Sequence, residues 1–192
     1  MSIDSSRTIG RRISIVGATG SGKSHLSRIL AKLLKLQVHE LDDLRDCLPG
    51  GQLDAGEFVQ RVEFITSGNA WIMDGHYLAV RHIIWQRADT VVFLNYPIYL
   101  IFTRLMRRFL VKQWSRIKRG SGEYPTGTSS HNNSARRAGS WNQRWNRLLK
   151  TFRERQDYGR TLHSPDYDRL NIIELNSKRA TREWIQVLQL NA

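Results

Sequence analysis

Eight residues near the start of the chain, Gly17-Ala18-Thr19-Gly20-Ser21-Gly22-Lys23-Ser24, have the composition of a phosphate cradle. Glycines let a backbone wrap so that several N–H groups point at one anion. Lys23 brings a cation to the β- and γ-phosphates of a nucleotide, and the Ser24 hydroxyl is a ligand for Mg²⁺. The stretch meets the pattern G-x-x-x-x-G-K-[ST] in full. Average residue usage gives such a match by accident in roughly one chain in a hundred of this length, so a held nucleotide phosphate is the reading that the other residues must accommodate. The cradle says what is held, not what is done with it.

Acids further along supply candidates for the rest of the chemistry. In "HELDDL", Asp42 and Asp43 end a short apolar stretch. Across a crevice from the cradle, Asp42 could accept a proton from an attacking hydroxyl or orient an acceptor. Equally, it could cap a following helix. In "WIMDGHY", Asp74 ends a second apolar run. An acid there helps to hold Mg²⁺ through water or binds the acceptor, and Gly75 lets the backbone come close to a ligand. The alternative is a solvated Asp-Gly turn. His76 reads as a hydrogen-bonding neighbour, and none of the six histidines has metal-site spacing.

These residues need a frame. Residues 12–17 alternate and are β-branched, as a strand requires. Leu26, Ile29, Leu30, Leu33 and Leu34 recur at helical spacing, giving a helix over about 22–34. A second strand is expected at 36–42, then a loop or broken helix around Pro49, Gly50 and Gly51. Phe58, Val62 and Ile65 share one face of a helix over 57–66. Residues 70–75 and 89–97 read as buried strands, the latter nearly continuous in apolar residues as central parallel strands are. From 98 to about 119 the pattern is helical and basic. Residues 120–140 are rich in Gly, Ser and Asn and read as a flexible loop, and 141–156 return as a helix with Trp141, Trp145, Leu148, Leu149 and Phe152 on one face. A last strand at 170–176 and a last helix at 181–190 complete an α/β chain with a parallel sheet between two helical layers. Ligands bind such sheets at the C-terminal strand ends, where the cradle, Asp42, Asp74 and the Tyr96-Pro97 turn all fall.

At 192 residues the chain suits a single domain, with residues 1–10 as a flexible N-terminus. No apolar run is long enough to span a bilayer, the N-terminus lacks a secretory apolar stretch, and a lone Cys47 cannot form an internal disulfide. A cytoplasmic protein is the expectation. The net charge of +13 is concentrated: residues 104–160 carry 15 basic and 3 acidic residues, while 1–103 carry 11 and 10. Such a block favours a polyanion. With Trp114, Trp141 and Trp145 interleaved among the arginines, nucleic acid is a possible partner beside nucleotide phosphates. A simpler reading packs Trp141 and Trp145 on the core.

The segments "ISIVGATGSGKSHLSRILAKLL", "VHELDDL", "WIMDGHYLAVRHIIWQRADTVVFLNYP" and "WNQRWNRL" together resemble the adenylate-kinase-like P-loop kinases, and within them the DNA topology modulation (FlaR-like) proteins. The resemblance implies a five-stranded parallel sheet of order 2-3-1-4-5, ATP and Mg²⁺ as cofactors, and a small-molecule phosphoryl acceptor, nucleotide or nucleoside. It implies a lid over about 109–140. Arg104 and Arg108, seven and eleven residues after Pro97, would contact the nucleotide and clamp the transferring phosphoryl group. Asp42, Asp74, Gly75, Tyr77 and Arg81 would face the acceptor. The G-F-P-R-like turn that binds AMP in adenylate kinases is absent, "DGHY" standing in its place. An ATP-binding regulator without turnover, docked on nucleic acid, is the other reading.

Replacing Lys23 with Ala should weaken ATP binding or abolish turnover, as calorimetry and an ADP-release assay would show. Unchanged affinity together with an unchanged rate would remove Lys23 from the site.

Overall fold

The computed structural model describes residues 9–46, 54–75, 77–97, 99–100, 103, 157–162 and 164–190. Five strands form one wholly parallel sheet: β1 (Arg12–Gly17), β2 (Val38–Glu40), β3 (Trp71–Asp74), β4 (Thr90–Leu94) and β5 (Asn171–Leu175), in the order β2-β3-β1-β4-β5. This is the order that the family resemblance implies. Among the described residues it is accompanied by the helices α1 (Lys23–Leu34), α2 (Leu41–Asp46), α3 (Ala55–Thr66), α4 (Leu78–Arg87) and α5 (Lys178–Leu190). Residues 157–162 are also helical. The expected basic helix from 98, the lid over 109–140 and the helix of Trp141 and Trp145 lie almost wholly outside the described residues.

Because successive strand residues point to opposite faces, the sheet carries two cores. Ile13, Ile15, Ile72, Val92, Leu94, Ile173 and Leu175 meet Leu26 and Leu30 of α1 and Trp184 of α5. Val16, Met73, Val91 and Phe93 face the other way, against Phe58 and Val62 of α3, Val80, Ile83, Ile84 and Trp85 of α4, and Tyr158 and Leu162. Three layers result, with the sheet in the middle.

The connections are tied by polar contacts of long sequence separation. Below the sheet, the Arg12 side chain pairs with Asp89, whose carboxylate also accepts from the Arg12 backbone N–H at 3.1 Å. Helix carbonyls left over at C-termini take cations. Arg87 donates to the Glu63 carbonyl (2.7 Å) and the Thr66 hydroxyl (2.9 Å) at the end of α3. Arg169 donates to the carbonyls of Trp85 (2.9 Å) and Gln86 at the end of α4. Above β4, Tyr96 and Thr181 of α5 share a buried hydrogen bond of 2.6 Å.

Two elements differ from the sequence expectation. Strand β2 is only three residues long and runs straight into α2, so Leu41, Asp42 and Asp43 are helical rather than extended. Helix α4 was not foreseen. Its buried residues Val80, Ile83, Ile84 and Trp85 are mostly β-branched or aromatic, while Leu78 is 53% exposed, so no clean apolar stripe marks it.

Gly75 makes the junction between β3 and α2 possible. Its φ is +131°, and a Cβ there would stand 2.9 Å from the Leu41 Cβ. The close approach sought at Gly75 is thus made to Leu41, which is 1% exposed. Gly75→Ala should cost roughly 1–3 kcal/mol of stability through backbone strain, read by denaturant unfolding. A cost near zero would show that the junction relaxes freely.

Candidate active site

The phosphate cradle sits between β1 and α1, as the sequence requires. Gly17, Gly20 and Gly22 have φ of +151°, +84° and +102°. A Cβ on Gly17 would lie 2.8 Å from the Leu94 carbonyl oxygen of β4 and 3.1 Å from Ser21 Oγ, so only glycine lets the loop leave the sheet at this point. The Ser21 N–H donates to the Ala18 carbonyl at 3.0 Å and closes the turn. Gly22 caps α1 without a side-chain hydrogen bond, and the first turn holds no acid. The positive end of the helix therefore faces the loop with no negative side chain of that turn against it, which is the condition for anion binding. Lys23 folds over the loop, its Nζ donating to the carbonyls of Gly17 (3.0 Å) and Ala18 (3.2 Å). Glycine backbone, helix end and ammonium together fit a nucleotide's phosphates.

Asp74 ends β3 in register with Ile15 of β1 and Glu40 of β2. It is 3% exposed, so it is no solvated turn. Its neighbours come from α1. Ser27, 0% exposed, donates from Oγ to Asp74 Oδ2 at 3.4 Å. Burial pushes the carboxyl above its ordinary range; a hydrogen bond from Ser24, the Lys23 charge and the Ser27 hydroxyl work against that shift, and the Glu40 charge adds to it. A hydroxyl and a carboxylate held side by side at a phosphate cradle are the oxygen ligands that Mg²⁺ prefers. Among the described residues no group of three or more His, Cys, Asp or Glu could hold a metal.

On the far side, Asp42 lies in the first turn of α2 and is exposed. Helix α2 begins at Leu41, so Asp42 is inside the helix rather than at its cap. Its Oδ1 accepts a hydrogen bond from the Tyr77 hydroxyl at 2.8 Å. Tyr77 is half-buried and starts α4. Burial, then the Asp42 hydrogen bond and charge, push its phenol well above the usual range, so it remains a donor. Arg45 lies over the Tyr77 ring at 5.1 Å and pairs with Asp46 at 3.1 Å. The Arg81 guanidinium lies 5.3 Å from the Trp85 ring centre, one helical turn along α4. Arg104 and Arg108 lie outside the described residues. Ser27 and Glu40 were missed from the sequence. The one available signal for Ser27 was a small polar residue set between Leu26 and Leu30 on the buried face of α1.

A family model described as the central domain of the helicase HerA matches residues 1–40. That is about a fifth of the chain, and it spans the cradle with its strand and helix. No curated protein sequence matches. Among solved structures, a shikimate kinase from Acinetobacter baumannii, in complex with shikimate, is similar over 95% of this chain and 93% of its own, with 21% identity and a TM-score of 0.53. A shikimate kinase from Aquifex aeolicus covers 94% of both chains at 14% identity and 0.51. A gluconokinase from Sinorhizobium meliloti covers 97% of this chain and 95% of its own at 15% identity and 0.50. At these identities the likeness concerns the fold: the chain has the three-layer fold of P-loop kinases. Among the described residues, no helix is long and apolar enough to cross a membrane.

The raised carboxyl of Asp74 has a sign that can be tested. The folded chain holds the proton more tightly than the unfolded one, so this group's stabilising contribution is full below about pH 4 and is lost as pH rises through its folded value. Asp74→Asn should therefore raise the thermal midpoint near neutral pH, with the gain shrinking in acid. Melts between about pH 3 and 8 read this; a neutral-pH midpoint below wild type would contradict it.

Proposed function

We propose that this protein is a small-molecule kinase that uses Mg-ATP. The observation that carries the reading is the meeting of Lys23, Ser24 and the buried Asp74 at one end of the sheet. A bare phosphate-binding loop has no need of a carboxylate taken out of water. A loop that also holds a divalent cation gains from one. Bound Mg-ATP supplies the phosphoryl group and part of the charge neutralisation. The loop N–H groups, the α1 end and Lys23 hold the phosphates, and Ser24 with Asp74 serves the metal. Asp42 orients or deprotonates the acceptor hydroxyl. Arg104 and Arg108, spaced from Pro97 as in adenylate-kinase-like enzymes, would complete the site beneath a lid drawn from residues 109–140.

The structural neighbours named as shikimate kinases and a gluconokinase share the fold, and this supports a hydroxyl acceptor. Charge refines the choice. Residues 38–81, the stretch this reading assigns to the acceptor, contain eight acidic and three basic residues in a chain of net charge +13. Two of the three basic residues, Arg45 and Arg81, lie over aromatic rings. This balance favours an uncharged hydroxyl compound, a nucleoside or polyol, over a phosphorylated one. The finer likeness to DNA topology modulation proteins rests on "WIMDGHY" and "RADTVVFLNYP". It fits a cytoplasmic kinase without naming its acceptor.

ADP release from Mg-ATP, measured against nucleosides, polyols and their phosphorylated counterparts, tests the reading. At least one uncharged alcohol should raise the rate well above the rate with water, and its phosphate ester should raise it less. Tight ATP binding with no acceptor above background would make the protein a nucleotide-sensing regulator instead.

A further inference from the structure

Asp42 has a difficulty as a catalytic or orienting group. It is exposed, on a helix of only six residues, and a free carboxylate in such a place samples several rotamers. Orientation of a hydroxyl for in-line attack needs the opposite.

Tyr77 removes the difficulty. Its hydroxyl donates to Asp42 Oδ1 at 2.8 Å across 35 residues of sequence. The ring delivering that hydroxyl is held on two sides. Phe58 of α3 meets it edge-on at 5.3 Å, and the Arg45 guanidinium lies over it at 5.1 Å. The backbone at both ends of the bond is held as well, since Gly75, two residues before Tyr77, packs on Leu41, the residue before Asp42. A hydrogen bond between two groups so fixed leaves the carboxylate little rotation, with Oδ2 as the oxygen not taken by the phenol.

We propose that Tyr77 is the positioning residue for Asp42 and acts on the reaction through it, rather than as a contact to the acceptor. This rests on the kinase reading above and revises the expectation from the sequence, which set Tyr77 against the acceptor itself. The phenol is a donor in this pair and the carboxylate an acceptor, so no proton needs to move between them during turnover.

The test is a double-mutant cycle of Tyr77→Phe and Asp42→Asn, assayed with Mg-ATP and water, and with Mg-ATP and the panel alcohol giving the highest rate. Phenylalanine keeps the ring contacts and removes only the hydroxyl. Tyr77→Phe should lower kcat about tenfold or more, the scale of a lost hydrogen bond to a charged group, with the KM for the alcohol within about twofold. In the Asp42→Asn background it should cost nothing further. A donor restored at position 77 by 4-aminophenylalanine should recover most of the rate, and this variant serves also if the phenylalanine chain melts far below wild type. A wild-type kcat in Tyr77→Phe, losses that add across the cycle, no recovery with the amine, or a raised KM with unchanged kcat would overturn the proposal while leaving the kinase reading standing. Absence of any turnover in the wild type would remove both.

Discussion

A carboxylate taken out of water raises the free energy of the folded chain unless hydrogen bonds and charges replace its hydration. Asp74 is such a group, at the end of a strand one place from the middle of the sheet. Its compensation comes from the first two turns of α1: the Ser24 hydroxyl, the Ser27 hydroxyl and the Lys23 charge. The partners are close together on one helix, which packs on the sheet through Leu26 and Leu30. The cradle follows, because α1 begins where the loop ends. The compensation is partial, since burial still dominates the carboxyl. A divalent cation would supply what the serines and lysine do not. The cost to the fold is localised at this one residue.

The side proposed to meet the acceptor is built on a different constraint. There the close approach of Leu41 to Gly75 sets two chain segments against each other, and the Tyr77–Asp42 bond continues the same seam to the surface. Asp74 is held by electrostatics in a buried place, Asp42 by steric fit ending in an exposed hydrogen bond. The sheet separates them: β1 and β3 carry the cradle and Asp74, and β2, the short edge strand, carries α2.

Most of the frame was legible in the sequence because it is written in local periodicity. The β-branched runs of β1, β4 and β5 and the leucine stripe of α1 each announce themselves within a dozen residues. Helix α4 does not, since Val80, Ile83, Ile84 and Trp85 suit a strand as well as a helix, and packing against α3 and Tyr158 decides the matter. The phosphate cradle was fully legible, being one contiguous motif. The place of Asp74 at a strand end was legible from the apolar run before it, but its partner Ser27 was hidden within an apolar stripe. The Tyr77–Asp42 bond was not legible at all. It joins residues 35 apart, and only the β2–β3 pairing brings them together.

The arginines at the ends of α3 and α4 carry a consequence for how the molecule meets acid. Arg87 and Arg169 bind backbone carbonyls and one hydroxyl, none of which titrates. A guanidinium keeps its charge at every pH a protein survives. These two ties at the ends of α3 and α4 are therefore blind to proton concentration. Acid instead weakens the Arg12–Asp89 pair, whose carboxyl lies below its ordinary range, while the ties made by Arg87 and Arg169 persist.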